Sequence, residues 1–268
     1  MTNPFKADVL VVKLSGKALT ADKALDALFA ALADSAANAE RTRVVLVHGG
    51  GVEVDALMRG LGRPIDRIEG LRVSPAEDMP VIAGALAGTC SLKLRGAAQR
   101  AGLMPLGLCA TDAGIGRVMP ADPRLGRVGV IEPGDSAAKR RLQALLDAGF
   151  TPVISSVGMA AAGALWNINA DDAAVASAAL LGAPLIFLSD VPGVLDANKH
   201  LFEQLNEKQA ETLIAEGVIS GGMTVKVRAA FRAAAMTGKP VAAASVFDPM
   251  LPNKLASGQL PGTTFTLE

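Results

Sequence analysis

The stretch Val44-Val45-Leu46-Val47-His48-Gly49-Gly50-Gly51 decides the fold. A short, continuous apolar run of this kind reads as a buried strand. It leads into three glycines, after which Val54, Leu57, Met58 and Leu61 recur at i, i+3, i+4 and i+7, the spacing of a helix. Glycines are a poor start for a helix, because each loses more backbone freedom on folding than alanine would. What they offer is access. Without Cβ atoms the backbone N–H groups can approach a ligand, and a helix start adds unpaired donors and a positive dipole end. The stretch is therefore either an anion site, with phosphate the first candidate, or a tight strand-to-helix turn with no ligand.

Upstream, Asp8 to Leu14 (DVLVVKL) reads as another buried strand, ending in Lys13-Leu14-Ser15-Gly16-Lys17. A helix follows with Leu25, Leu28, Phe29 and Leu32 on one face. Two strand–loop–helix units in succession predict a parallel sheet with helices on both faces. Parallel order brings both strand ends to one edge, so Lys13 and the glycines are predicted neighbours.

Downstream, Ser74-Pro75-Ala76-Glu77 has the form of a capping box with proline at the first helical position. Its helix is expected to reach about Arg100, with an irregularity at Gly84 or Gly88. A strand is expected near Met104 to Leu108. From Asp112 to Gly134, glycine and proline punctuate short pieces (Arg117 to Met119, Arg127 to Ile131), which predict a β-hairpin excursion and a candidate lid. Leu142, Leu145 and Leu146 mark a helix, and Thr151 to Ser155 a strand. In Trp166-Asn167-Ile168-Asn169-Ala170-Asp171-Asp172, Asn169 is placed to cap a helix whose first turn holds Asp171 and Asp172. Pro184 to Ser189 reads as a strand leading to a turn at Asp190-Val191-Pro192-Gly193-Val194. Asn206 caps a further helix that Gly217 closes. A helix after Gly221-Gly222-Met223 carries Lys226, and a last strand, about Pro240 to Phe247, ends the core. A lobe boundary is expected near residue 180.

Composition narrows the function classes. The chain has 268 residues, half of them hydrophobic, with 26 Lys plus Arg balancing 26 Asp plus Glu. No basic excess points to nucleic acid or an anionic membrane, and with aromatics at 3% a base-stacking platform is not expected. Cys90 and Cys109 are too few for a disulfide framework and fit reduced, small core residues. Asp8 and Lys13 bracket a run of four apolar residues, which is no signal peptide, and no run approaches the ~20 residues of a membrane span. The expectation is a cytoplasmic, soluble protein.

The residues that could do chemistry each have a plain alternative. There is no GxxxxGK[ST], and 49-GGGVEV-54 lacks the third glycine of a dinucleotide fingerprint. His48 and His200, the only histidines, have no triad or metal spacing, and His48 is read as a hydrogen-bonded structural residue. Lys13 closes an apolar strand, where it either meets an anion or snorkels to solvent. Lys226 reads first as an exposed helical lysine, and Asp171 as an acid favoured at a helix start. Arg72, between two apolar residues, either grips a carboxylate bidentately or pairs with a structural acid. Asn167 is otherwise a loop amide. Taken together the pieces suggest phosphoryl transfer. Glycine amides would hold phosphates, two lysines would offset spreading charge, and one aspartate would position the lysines.

Six segments in order, VVKLSGK, VLVHGGG, GLRVSPAE, NINADDAA, LSDVPGVL and GVISGGMTVKV, run nearly end to end and resemble the amino-acid kinase family. The resemblance implies an α/β fold, an open αβα sandwich with a largely parallel central sheet and two lobes. Residues 1–180 would bind the amino acid and dimerise, and residues 181–268 would bind the nucleotide. It is nearest to the short bacterial members acting on N-acetyl-L-glutamate. The implied reaction is ATP-dependent phosphorylation of that side-chain carboxylate, in arginine biosynthesis. By motif, Lys13 and Lys226 would stabilise the transition state and Asp171 would hold them. Gly16, Gly50 and Gly51 would offer N–H groups to phosphoryl oxygens. Arg72 would bind the α-carboxylate and Asn167 would bind near the α-nitrogen. Asp190, Val191, Pro192, Gly193, Val194, Leu195, Val218, Ile219 and Ser220 would line the ATP site, and Mg²⁺ would come with ATP, with no protein metal site.

Three positions depart from the family pattern. Ser15 replaces the first glycine of Lys-x-Gly-Gly. Lys17 stands where relatives are small or apolar, and either adds charge near the phosphates or points away. Gly221 stands where relatives often carry an acid. The chain starts almost directly at its first strand, which implies a homodimer that arginine does not inhibit. Three alternatives remain at this point: a kinase for N-acetyl-α-aminoadipate, a non-catalytic ligand-sensing domain of the same fold, and a nicotinamide-dependent enzyme.

Overall fold

A computed structural model describes residues 8–37, 42–160, 163–257, 259 and 261–267. In order come β1 (Val9–Leu14), α1 (Asp22–Ala37), β2 (Arg43–His48), α2 (Gly51–Gly60) and a hairpin of β3 (Arg67–Ile68) and β4 (Leu71–Arg72). Then α3 (Met79–Ala83), a π-helical stretch at Gly84–Cys90, and α4 (Ser91–Arg100) follow one another directly. Next are β5 (Pro105–Cys109), β6 (Gly116–Pro120), β7 (Val128–Pro133), α5 (Ser136–Asp147), β8 (Thr151–Ser155), β9 (Val157–Met159), β10 (Leu165–Ile168) and α6 (Ala170–Leu181). The remainder is β11 (Leu185–Ser189), β12 (Gln204–Asn206), α7 (Glu207–Ala215), α8 (Gly222–Thr237), β13 (Val241–Ser245), α9 (Leu251–Ser257) and β14 (Thr263–Thr266).

Eight strands form the central sheet in the order β12-β14-β13-β11-β1-β2-β8-β5. Six of them are parallel, and β14 and β12 run against the rest. Alternation along β1 sends Val9 and Val11 into one core and Leu10, Val12 and Leu14 into the other. Residues of α5, α6 and α8 cover the first face, and those of α1, α4 and α9 the opposite one. Burial on both faces is why these strands read as unbroken apolar runs. Each fully buried leucine, such as Leu14 or Leu46, contributes about 1.5–3 kcal/mol.

The expected hairpin excursion is present. Strands β6 and β7 pair antiparallel from Gly116↔Pro133 to Pro120↔Gly129, within a separate sheet ordered β6-β7-β10-β9. The π-helical turn contains both Gly84 and Gly88, where an irregularity was expected. Four expectations need correction. Pro240–Phe247 does not hold the last strand, because β14 follows and pairs antiparallel with β13. Asn167 belongs to strand β10 rather than a loop, paired with Val128 and Val157. On α2, Val54 and Met58 are buried but Leu57 and Leu61 are exposed, so the apolar stripe is half as wide as its spacing implied. Finally, Ser74 caps nothing. The helical turn after it starts from Pro75 with no side-chain cap, and the Ser74 hydroxyl is engaged elsewhere.

Candidate active site

Strand β1 lies between β2 and β11, so the connections leaving its carboxyl end and theirs diverge. In an open parallel sheet such a switch point opens a crevice at the carboxyl edge. Lys13, the residue before the last of β1, shares the parity of Val9 and Val11 and faces the side covered by α6. It is 8% exposed, and its Nζ lies 2.6 Å from Oδ1 of Asp171. Asp171 sits in the first turn of α6, where Asn169 Oδ1 accepts a hydrogen bond from the Asp171 N–H at 2.8 Å. The capping residue predicted from sequence thus fixes the aspartate that meets the buried lysine.

Lys226 approaches from α8. It is half-buried, and its Nζ donates to Ser189 Oγ at the end of β11, 2.9 Å away. The reading of an exposed helical lysine is therefore wrong. Burial, followed by the like charge of Lys13, pushes its pKa down to about 8, while Asp171 and Asp190 oppose the shift. The two lysines, far apart in sequence, are electrostatic neighbours around one aspartate. Lys17 turns to the other carboxylate, with its Nζ 2.8 Å from Asp190 Oδ2. That contact raises the Lys17 pKa and holds the Asp190 carboxyl below the usual range.

The glycine corner adjoins this cluster. A Cβ on Gly16 would lie 3.3 Å from the Gly51 nitrogen, so the two loops touch through backbone. A Cβ on Gly50 would fall 2.4 Å from Cys90 Sγ and 3.0 Å from Leu86 Cδ2, both in the π-helical turn. Gly50 is thus needed for fit, whereas a Cβ on Gly51 would meet open space. No side chain caps the start of α2, which leaves its first N–H groups for a ligand. His48, fully buried, donates from Nδ1 to the Gly49 carbonyl at 2.9 Å. Burial pushes its pKa down to about 4, so it is neutral and braces the loop.

A cavity of about 250 Å³ opens beside the glycines and is lined by Lys13, Arg67, Arg72, Val128 and Asn167 among others. Its volume suits a small acid better than a nucleotide. Arg72 is buried, and its Nη2 is in an ion pair with Asp55 and donates to the Gly51 carbonyl at 3.2 Å. Its Nη1 has no partner among the described residues. Both sequence alternatives for Arg72 are therefore met in part: it pairs with a structural acid and keeps one nitrogen free. Asn167 Nδ2 donates to Ser74 Oγ at 3.0 Å, and Ser74 Oγ donates to the Arg72 carbonyl at 3.1 Å. Ser74 and Asp55, which sequence reasoning did not place at the site, link its acid-facing residues. The S-x-x-E pattern disguised Ser74, and nothing local distinguishes Asp55 from an ordinary surface acid.

The proposed nucleotide-side positions divide into two groups. Asp190, Pro192 and Ser220 are exposed, and Val191, Leu195 and Val218 are half-buried. Val194 and Ile219 are buried in the core. The Val194 N–H donates to Thr263 Oγ1 at 2.8 Å and its carbonyl accepts from the Phe202 N–H at 2.9 Å. The Ile219 N–H donates to the Leu213 carbonyl at 3.1 Å. These two residues hold the loops through their backbone bonds, with their side chains in the core. Gly193 is fixed by its φ of +150° and by Thr263, whose Oγ1 a Cβ would meet at 2.5 Å.

Residues 8–244 match the amino acid kinase family. The chain is 47% identical over 265 residues to an acetylglutamate kinase of Vibrio vulnificus (strain YJ016), covering 99% of each. It is 47% identical over 258 residues to an acetylglutamate kinase of Aeromonas salmonicida (strain A449), covering 96% of this chain and 98% of that one. Among solved structures, smu.665 from Streptococcus mutans UA159 superposes with a TM-score of 0.81 at 26% identity, over 97% of this chain and 99% of that one.

Proposed function

This chain belongs to the amino acid kinase family, and from that premise we propose that it transfers the γ-phosphoryl group of ATP to the side-chain carboxylate of N-acetyl-L-glutamate. The product is N-acetyl-L-glutamyl 5-phosphate, an intermediate of arginine biosynthesis. The observation that carries the reading is the buried Lys13–Asp171 pair with Lys226 beside it, next to an uncapped glycine corner and a small cationic cavity.

In the reaction, a substrate carboxylate oxygen forms the new bond to phosphorus as the bond to the ADP oxygen breaks. The nucleophile is already ionised at neutral pH, so no general base is needed and catalysis is positioning plus charge stabilisation. Lys13 and Lys226 face the transferring group, and Asp171 keeps the two ammonium groups together. Backbone amides of Gly16, Gly50 and Gly51 bind phosphoryl oxygens, and Arg72 and Asn167 hold the α-end of the acid. ATP lies across Asp190–Leu195 and Val218–Ser220. Mg²⁺ arrives as part of the nucleotide substrate, held mainly by phosphate oxygens. Among the described residues no group of three or more His, Cys, Asp or Glu is arranged to hold an ion.

We assign residues 1–180 to acid binding and dimerisation and 181–268 to nucleotide binding. The sheet order supports the division, because β1, β2, β8 and β5 fill one half and β11, β13, β14 and β12 the other. A homodimer is supported by β5, which ends the central sheet among the described residues, and by the exposed Met104 just before it. A cytoplasmic location is supported by the use of ATP. Among the described residues no helix is long and apolar enough to cross a membrane.

A coupled ADP-release assay tests the substrate. Turnover is expected with N-acetyl-L-glutamate; turnover on N-acetyl-α-aminoadipate alone would replace the acid, and turnover on neither would remove the kinase reading. The pH dependence tests Lys226. Its ammonium form binds phosphate, and its pKa is near 8 in the free protein. The kcat/KM for ATP should therefore be level at neutral pH and fall as pH rises through about 8. A rise through that range would contradict the role.

A further inference from the structure

Arg67 and Arg72 are paired directly across the β3–β4 hairpin. Like charges opposite each other on neighbouring strands are destabilising, and both residues line the cavity. A local rule broken in this way points to a site. Between them stands Asp55 of α2. Its carboxylate takes Arg67 Nη2 at 2.9 Å on Oδ2 and 3.2 Å on Oδ1, and Oδ1 also pairs with Arg72 Nη2. The Arg72 side chain is 6% exposed and that of Asp55 19%, so solvent screens this pair weakly. With the Gly51 carbonyl as its other acceptor, Arg72 Nη2 is fully committed to α2. Nη1 is shielded from solvent and has no acceptor among the described residues. A two-nitrogen grip on a ligand carboxylate is therefore closed off, and one nitrogen remains for it.

We propose that Asp55 is a positioning residue for the acid substrate: it consumes one nitrogen of Arg72, orients the other toward the ligand carboxylate, and joins Arg67 to the set so that the cavity stays cationic. Asp55 alone would cancel the charge of Arg72. With Arg67 included, the Arg–Asp–Arg group carries one net positive charge, matched to a single carboxylate. Asp55 touches no reacting atom and acts through Arg72. This inference rests on the proposed acid substrate.

The test is steady-state kinetics of the full chain with N-acetyl-L-glutamate and ATP, comparing the wild type, Asp55→Asn, Arg72→Ala and the double variant. Asp55→Asn keeps the side-chain shape, and its folding is checked by thermal melting. It should raise KM for the acid about ten- to a hundredfold, as expected for losing an oriented charge-assisted hydrogen bond. The KM for ATP and kcat should stay within about twofold, because ordinary surface or remote effects are of that size. In the Arg72→Ala background the same substitution should raise the acid KM no further, because residues acting through one another are not additive. An unchanged acid KM, an equal rise in both backgrounds, or a parallel loss in kcat and both KM values would each overturn the proposal. A wild type that does not turn over N-acetyl-L-glutamate would overturn the substrate reading and this inference together, whereas an active wild type with any of those three patterns overturns this inference alone.

Discussion

Asp171→Ala is expected to lower kcat by about a hundred- to a thousandfold, about 2.7–4 kcal/mol of transition-state stabilisation, the size typical of removing one preorganised electrostatic element. Lys13 is 8% exposed, and Asp171 is its ion-pair partner at 2.6 Å. Removing the carboxylate leaves two ammonium groups facing one another. Lys226, already lowered to about 8 by burial and by Lys13, would lose one of the two charges that hold its pKa up. Its ammonium form would then be less favoured, when the reaction needs it charged. Two readouts separate this from simple unfolding. The melting temperature should fall but a cooperative transition should remain, and the kcat/KM profile should break at lower pH than in the wild type. An Asp171→Ala variant with near-normal kcat would remove the lysine pair from the mechanism.

Arg72→Ala should act on the other substrate. The side chain is buried, is tied to Asp55 and the Gly51 carbonyl, and lines the cavity with one nitrogen unpartnered among the described residues. Loss of a charge-assisted contact to the acid, with Asp55 left deprived of its buried partner, should raise the acid KM about a hundredfold or more. The KM for ATP should change little, since we assign the nucleotide to the other half of the sheet. Arg72→Lys should recover little of this, because a single ammonium cannot serve Asp55, the Gly51 carbonyl and a ligand as the planar fork does. An acid KM within about threefold of the wild type in Arg72→Ala, the size of an ordinary remote effect, would place the carboxylate elsewhere.

The parts of this site that could be read in the sequence share one property: their physics is local. Strands β1 and β2 are apolar on both faces, so they stand out without knowledge of partners. Asn169 announces its cap, and the glycine corner announces a place where a backbone must be approached. What could not be read depended on distant partners. Strands β12 and β14 are three and four residues long and pair with each other although far apart in sequence. Nothing in Gln204-Leu205-Asn206 beyond its helix cap marks a strand. Lys226 reads as exposed because helical spacing does not say which face of α8 turns toward β11. Ser74 satisfied the letter of a capping box, yet its hydroxyl bridges Asn167 and the Arg72 carbonyl. Val194 and Ile219 lie within loops that read as ligand-facing, but long-range bonds to Thr263 and core packing turn them inward.

The central claim is that the Lys13 and Lys226 ammonium groups converge on one transferring phosphoryl group held by the glycine amides. It is tested most directly by a crystal structure with N-acetyl-L-glutamate and a non-hydrolysable ATP analogue bound together. Both Nζ atoms should then lie within hydrogen-bonding distance, about 3 Å, of γ-phosphoryl oxygens, with the Gly50 and Gly51 amides on the same group. A γ-phosphoryl group reached by only one of these lysines, or seated away from the glycine corner, would contradict the account.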